Sequence, residues 1–165
     1  MTEIAEIAQV GEPAGEVWER IGGFGGVGEW HPMLAEVTSA GEEIGSLRRT
    51  KARNGATSIE RLIDRSPEKR FYRYRILSTP LPVRNYVGEL RVDDNGDGTS
   101  TVVFSARFEP TLADFRTTEE IRSFLQDRAR QHRRHAAKGA RIVLARTRAP
   151  GSRLQATARA FSRIS

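Results

Sequence analysis

Few side chains in this sequence are placed to do chemistry at neutral pH. His31, between Trp30 and Pro32, is the only histidine outside the arginine-rich C-terminal region, and an imidazole titrates naturally close to neutrality. Beside Trp30 it could position or protonate a ligand carbonyl, or it could simply pack and hydrogen-bond its own loop. Glu60, on a strand-like segment, could pair with Arg49 across a hairpin, either facing a cavity or as a structural ion pair. Tyr72, Tyr74 and Tyr86 each combine apolar area with a polar tip, which suits a pocket wall and ordinary core packing alike. His132 and His135, three apart, could chelate a metal given further ligands. No such ligands accompany them, and no metal or other cofactor is expected. There is no Ser-His-Asp order, H-E-x-x-H or phosphate-binding loop. Any catalysis would therefore be general acid/base help inside an apolar pocket that holds a reactive chain folded.

These residues need a scaffold, and the densest local signal is Gly22 to Met33, GGFGGVGEWHPM. It holds five of the fifteen glycines and one of the two tryptophans. Glycine permits positive φ and tight curvature, whereas Trp30, His31 and Pro32 restore stiffness. The stretch reads as the mouth or lid of a pocket. Gly23, Gly25 and Gly28 also match G-x-G-x-x-G, but that fingerprint has force only between a strand and a helix N-terminus. Here the glycines follow a helical segment and Pro32 comes soon after, so dinucleotide binding is rejected.

The element order follows from periodicity. Ile4 to Val10 reads as a strand, and Pro13 opens a short helix with Val17, Trp18 and Ile21 as its stripe, stopped by Gly22 and Gly23. Strands follow at Met33 to Ser39, Ile44 to Ala52 and Thr57 to Asp64, with Asn54-Gly55 as a two-residue hairpin signal. Arg70 to Leu77 puts Tyr72, Tyr74 and Ile76 on one face and Arg73 and Arg75 on the other. The prolines of Thr79 to Val83 take that stretch out of the ladder. Tyr86 to Val92 resumes it, Asp93 to Gly98 turns, and Ser100 to Glu109 turns Val102, Phe104, Ala106 and Phe108 inward. Thr117 and Glu120 form a capping box before a long C-terminal helix. Six or seven strands, short helices and one long helix predict an α+β fold with that helix across an antiparallel sheet.

Composition bounds the rest. At 165 residues the chain suits one domain, and the absence of cysteine excludes disulfides and thiol catalysis and suits a reducing compartment. The acidic start, MTEIAEIAQV, is unlike a signal peptide, and no apolar run reaches the roughly 18 residues of a membrane span. A soluble cytoplasmic protein is expected. Residues 1–127 carry 16 Lys and Arg against 21 Asp and Glu, whereas residues 128–165 carry 11 basic residues and no acid. The basic pI thus belongs to the tail alone.

The Val17 to Pro32, Ile59 to Tyr74, Leu81 to Tyr86 and FSARFEP blocks, in this order and spacing, resemble the START/birch-pollen-allergen-like (SRPBCC) superfamily and its polyketide cyclase/dehydrase and lipid-transport group. The resemblance covers residue 3 to about residue 126. It implies a helix-grip fold, a curved antiparallel sheet wrapped on a long C-terminal helix around a cavity for a hydrophobic or aromatic small molecule. The expected ligand contacts are Trp18, Phe24, Trp30, His31, Met33, Arg49, Glu60, Tyr72, Tyr74, Tyr86, Phe104 and Phe108, with His31 the catalytic candidate if the protein is a cyclase or dehydratase. The resemblance fades after Leu125, where Arg128, His132 and His135 break the apolar stripe. Domain organisation is therefore expected as a ligand-binding domain over 1–127 and an Arg/Ala-rich tail over 128–165. That tail reads as an out-of-frame ending in a GC-rich gene, as a basic segment binding nucleic acid or an anionic surface, or as a solvated helical extension. With only Phe161 available for stacking, the nucleic-acid reading is the weaker one.

Overall fold

The computed structural model of the chain describes residues 1–111 together with Glu119 and Ser123. Their elements are β1 (Thr2–Val10), α1 (Ala14–Ile21), α2 (Val27–Trp30), β2 (Leu34–Ser39), β3 (Leu47–Ala52), β4 (Thr57–Ser66), β5 (Phe71–Ser78), β6 (Val83–Asp94) and β7 (Ser100–Pro110). The strands form one antiparallel sheet in the order β1-β7-β6-β5-β4-β3-β2. After β1 the chain crosses through α1 and α2 to the opposite edge, then meanders back until β7 lies against β1. The expected long C-terminal helix with its capping box, the His132 and His135 pair, and the basic tail lie outside the described residues.

The expected alternation is what builds the core. Tyr72, Tyr74, Leu90, Val92, Val102, Phe104 and Phe108 are buried on the inner face, where β1 adds Ile4, Ala8 and Val10 and α1 adds Val17 and Ile21. Four register shifts, at Leu34/Glu36, Ile59/Glu60, Leu62/Asp64 and Arg84/Val87, interrupt the ladders. Each such bulge bends its strand and increases local twist, which is how a sheet this long curves around an interior.

One of these shifts overturns strict alternation where it matters. In β6, Asn85 takes the left-handed conformation at φ 54°, which asparagine tolerates better than most residues. The residues Asn85 and Tyr86 together oppose only Phe108 in the ladder. Val83, which rejoins the sheet earlier than its proline-rich approach suggests, and Tyr86, three positions later, therefore both face the core.

The glycine-rich segment is not a freely bending lid. None of Gly22, Gly23, Gly25, Gly26 and Gly28 has a positive φ, α2 occupies part of the stretch, and Phe24 and Val27 are fully buried. Its glycines serve close approach instead. A Cβ on Gly28 would lie 2.8 Å from Val37 Cγ2 of β2, and one on Gly25 would lie 3.0 Å from Ser39 Cβ.

A still tighter approach lies across β5 and β6, where Gly88 opposes Tyr74 and a Cβ would sit 2.4 Å from the Tyr74 ring. Tyr74 is itself buried and cannot swing aside cheaply. Gly88→Ala is expected to cost about 1–3 kcal/mol of stability through overpacking, read as a lowered midpoint in chemical denaturation. An unchanged midpoint would mean that Tyr74 is not held against Gly88.

Candidate functional site

The site begins with the β3–β4 hairpin. Gly55, at φ 86°, donates its N–H to Ala52 O at 2.9 Å, and Ala52 donates to Ala56 O at 2.8 Å. The loop therefore holds three residues, Arg53 to Gly55, in the common arrangement of a turn followed by a left-handed glycine. A two-residue Asn54-Gly55 loop would have set Arg49 opposite Glu60. With one more loop residue the register moves by one, and Arg48 opposes Glu60 while Arg49 opposes Ile59. A one-residue change exchanges the faces of a strand, so the expected Arg49–Glu60 pair is replaced by Arg48–Glu60, and Arg49 is exposed on the outer face.

Arg48 is completely buried. Its Nε donates to Glu60 Oε2 at 2.7 Å, one terminal nitrogen donates to the same oxygen, and the other donates to the Phe24 carbonyl. The guanidinium carbon lies 4.1 Å from the Phe24 ring centroid and 5.1 Å from that of Tyr74, within cation–π range. Burial alone would pull this guanidinium down, yet the Glu60 carboxylate, with Tyr72 and Tyr74, holds it above the ordinary arginine value. It remains charged. Glu42 grips the same segment from the other side, its carboxylate accepting the N–H groups of Phe24 at 2.8 Å and Gly25 at 2.7 Å, with Arg65 2.9 Å away.

Next to this pair the inner face is hollow. A recess of about 430 Å³ is walled by Leu34, Thr50, Glu60, Tyr74, Ile76 and Tyr86, with Met33, Asn54, Ala56, Ser58, Thr79, Pro80, Leu81 and Ser123 completing it. That volume falls within the roughly 300–1,000 Å³ of small-molecule sites. Asn54 and Pro80 are exposed, which places the opening at the β3–β4 loop and the β5–β6 connection. There Ser58 Oγ bonds Thr79 Oγ1 at 3.0 Å, and Thr79 accepts the Leu81 N–H at 3.3 Å.

Of the twelve expected ligand contacts, the structure brings Met33, Glu60, Tyr74 and Tyr86 into this wall. Phe24, Trp30, Tyr72, Phe104 and Phe108 are buried in the core, and Trp18 packs against it. They form one aromatic layer. Tyr72, Tyr74, Tyr86 and Phe108 follow one another at centroid spacings of 6.3, 6.3 and 5.9 Å, while Trp30 meets Phe104 at 6.0 Å.

His31 is buried at the turn between α2 and β2, and it is not in the recess wall. Its Nδ1 accepts the Met33 N–H at 3.2 Å, and an accepting Nδ1 places the neutral ring's proton on Nε2. Its own N–H donates to Val27 O at 3.0 Å, and its carbonyl accepts the Leu34 N–H at 3.2 Å. Among the described residues no group of three His, Asp or Glu is arranged to hold a metal ion.

Sequence reasoning missed Arg48, Glu42, Thr50 and Ser58. Arg48 and Thr50 share a face of β3 by simple alternation, so a three-residue loop would have revealed them. Glu42, in the β2–β3 turn, gives no local signal.

The polyketide cyclase / dehydrase and lipid transport family model matches residues 1–141. No curated protein matches the sequence. Among solved structures, the protein XoxI from Bacillus cereus is similar at 25% identity and a TM-score of 0.77, over 82% of this chain and 96% of that one. The Zhui aromatase/cyclase from a Streptomyces species shares the fold at 21% identity and a TM-score of 0.64, covering 82% and 96%. So does the Panax ginseng major latex-like protein 151, at 16% identity and a TM-score of 0.65, covering 84% and 100%.

Removing one member of a buried ion pair leaves the other uncompensated. Arg48→Met is expected to cost about 3–5 kcal/mol, whereas Arg48→Met with Glu60→Leu should recover most of that loss. Denaturation of the three proteins checks this, and equal stability of the single and double variants would show that the pair is not coupled.

Proposed function

The chain belongs to the polyketide cyclase / dehydrase and lipid transport family, and from that premise we propose that the recess binds a hydrophobic or aromatic small molecule. The observation that carries this reading is the wall itself. Leu34, Ile76 and Leu81 offer apolar area, and Glu60, Tyr74, Tyr86 and Thr50 offer a few polar groups at fixed positions. Apolar ligand surface buried there gains about 25 cal/mol per Å², and the polar groups set orientation. Because Glu60 is anchored by Arg48 and Tyr74 by the close approach of Gly88, the polar side is preorganised, which lowers the entropic cost of binding.

A second reading, a cyclase or dehydratase, draws on Glu60 as the only carboxylate of the recess wall among the described residues. A base must reach the proton it removes, and Glu60 is better placed for a ligand in the recess than His31. In that case Glu60→Gln, assayed at a temperature where the variant is still folded because Arg48 loses its partner, should abolish cyclisation of a poly-β-ketone chain while the recess still binds it.

Ile76→Trp would fill the recess from β5, opposite Glu60 in the ladder, without removing either member of the Arg48–Glu60 pair. We expect it to weaken binding of the apolar fluorophore ANS at least about tenfold, with an unchanged melting temperature, because a filled pocket excludes ligand rather than unfolding the protein. Undiminished binding by the variant would locate the ligand elsewhere.

A further inference from the structure

Charge is unevenly matched on the outward face of the sheet. Towards one end Arg73 meets Asp64 at 3.2 Å and Glu89 at 2.5 Å and Arg91 meets Asp93 at 3.0 Å and Glu89 at 3.5 Å, and towards the other end Arg84 meets Glu109 at 2.7 Å. A second set makes no such pair. The register pairs Leu47 with Arg61, Arg61 with Arg75, Arg75 with Val87 and Val87 with Arg107, and beyond β7 it sets Arg107 opposite Glu3 of β1. These side chains form a row straight across β3 to β7, and Arg49 stands beside it opposite Ile59. Arg49, Arg61, Arg75 and Arg107 are all exposed, and among the described residues none of them makes an ion pair.

Like charges directly opposite on neighbouring strands are destabilising, and Arg61 faces Arg75. At the centre of the row Arg61 and Arg75 have no acid opposite them on either neighbouring strand, so an anionic partner from outside would relieve their repulsion. The basic tail does not supply it, because residues 128–165 contain no acid.

Aliphatic side chains are interleaved with these cations. Leu47 and Ile59 are 41% and 39% exposed, and Leu77, two residues from Arg75, is 45% exposed. Among the described residues none of the large exposed apolar side chains is aromatic, which leaves a nucleic acid without stacking platforms on this face and a protein partner without the Trp or Tyr anchors of a hot spot. An anionic bilayer uses both features present, since arginines pair with lipid phosphate and aliphatic tips enter the headgroup boundary. We propose that this outer face docks peripherally on an anionic phospholipid bilayer through Arg49, Arg61, Arg75 and Arg107, with Leu47 and Ile59 at the headgroup level. The inference is independent of what the recess holds.

Sedimentation of the full chain with vesicles tests it. The protein should pellet with phosphatidylcholine–phosphatidylserine vesicles and stay in solution with phosphatidylcholine alone. The variant Arg61→Gln/Arg75→Gln/Arg107→Gln should bind roughly a hundredfold more weakly while melting no lower. Should the triple variant misfold, Arg75→Glu alone provides the same test, because it relieves the repulsion with Arg61 and should melt higher while binding vesicles more weakly. A Leu47→Trp reporter should shift its fluorescence to the blue on anionic vesicles and not on polyglutamate. A wild-type chain that ignores anionic vesicles would overturn the proposal. So would variants that bind them undiminished, or polyglutamate that binds as tightly as the vesicles.

Discussion

Arg48 is the constraint on which the other parts of this structure depend. A guanidinium with no exposed surface must find every partner inside the protein, and here the partners come from separate pieces of chain: Glu60 from β4, the Phe24 carbonyl and ring from the glycine-rich segment, and the Tyr74 face from β5. Replacing such a pair with apolar residues is often neutral or stabilising, so stability alone does not account for it. What it does enforce is register. If β3 slipped by one residue so that Leu47 faced Glu60, that carboxylate would be buried without a cationic partner.

The same guanidinium decides what the glycine-rich segment can be. Phe24 is held by its carbonyl to Arg48 and by its N–H to Glu42, and Gly25 and Gly28 lie flush against β2. Local opening is easiest where few contacts and few hydrogen bonds restrain the backbone, and this stretch has neither property. The segment is therefore a fixed part of the core, and only Met33 at its end reaches the recess. The recess opens instead past Asn54 and Pro80, so ligand entry involves the β3–β4 loop and the β5–β6 connection.

Most of the fold was legible because it rests on period-two alternation. Tyr72 and Tyr74 against Arg73 and Arg75, and Phe104 and Phe108 against Arg107, declare their faces from the sequence alone. The site was less legible because it sits where alternation is interrupted. Arg53 adds one residue to the hairpin loop and exchanges Arg48 for Arg49, and Asn85 adds one residue to β6 and brings Val83 to the face that Tyr86 already occupies. A single inserted residue costs little locally, so the sequence carries only a weak mark of it, yet it reassigns every side chain beyond it. The aromatic residues were correctly read as inward-facing. Whether an inward ring touches core or cavity depends on the tertiary packing of the sheet, and propensity is silent on that.

The central claim is that the inner face holds a small apolar molecule beside Glu60 and Tyr74. Native mass spectrometry of the purified chain, followed by organic extraction of whatever accompanies it, tests this most directly. The account predicts a discrete mass increment that disappears on extraction and yields an apolar or aromatic compound small enough for the recess. A folded protein that stays at its bare mass, even after incubation with such compounds, would contradict it.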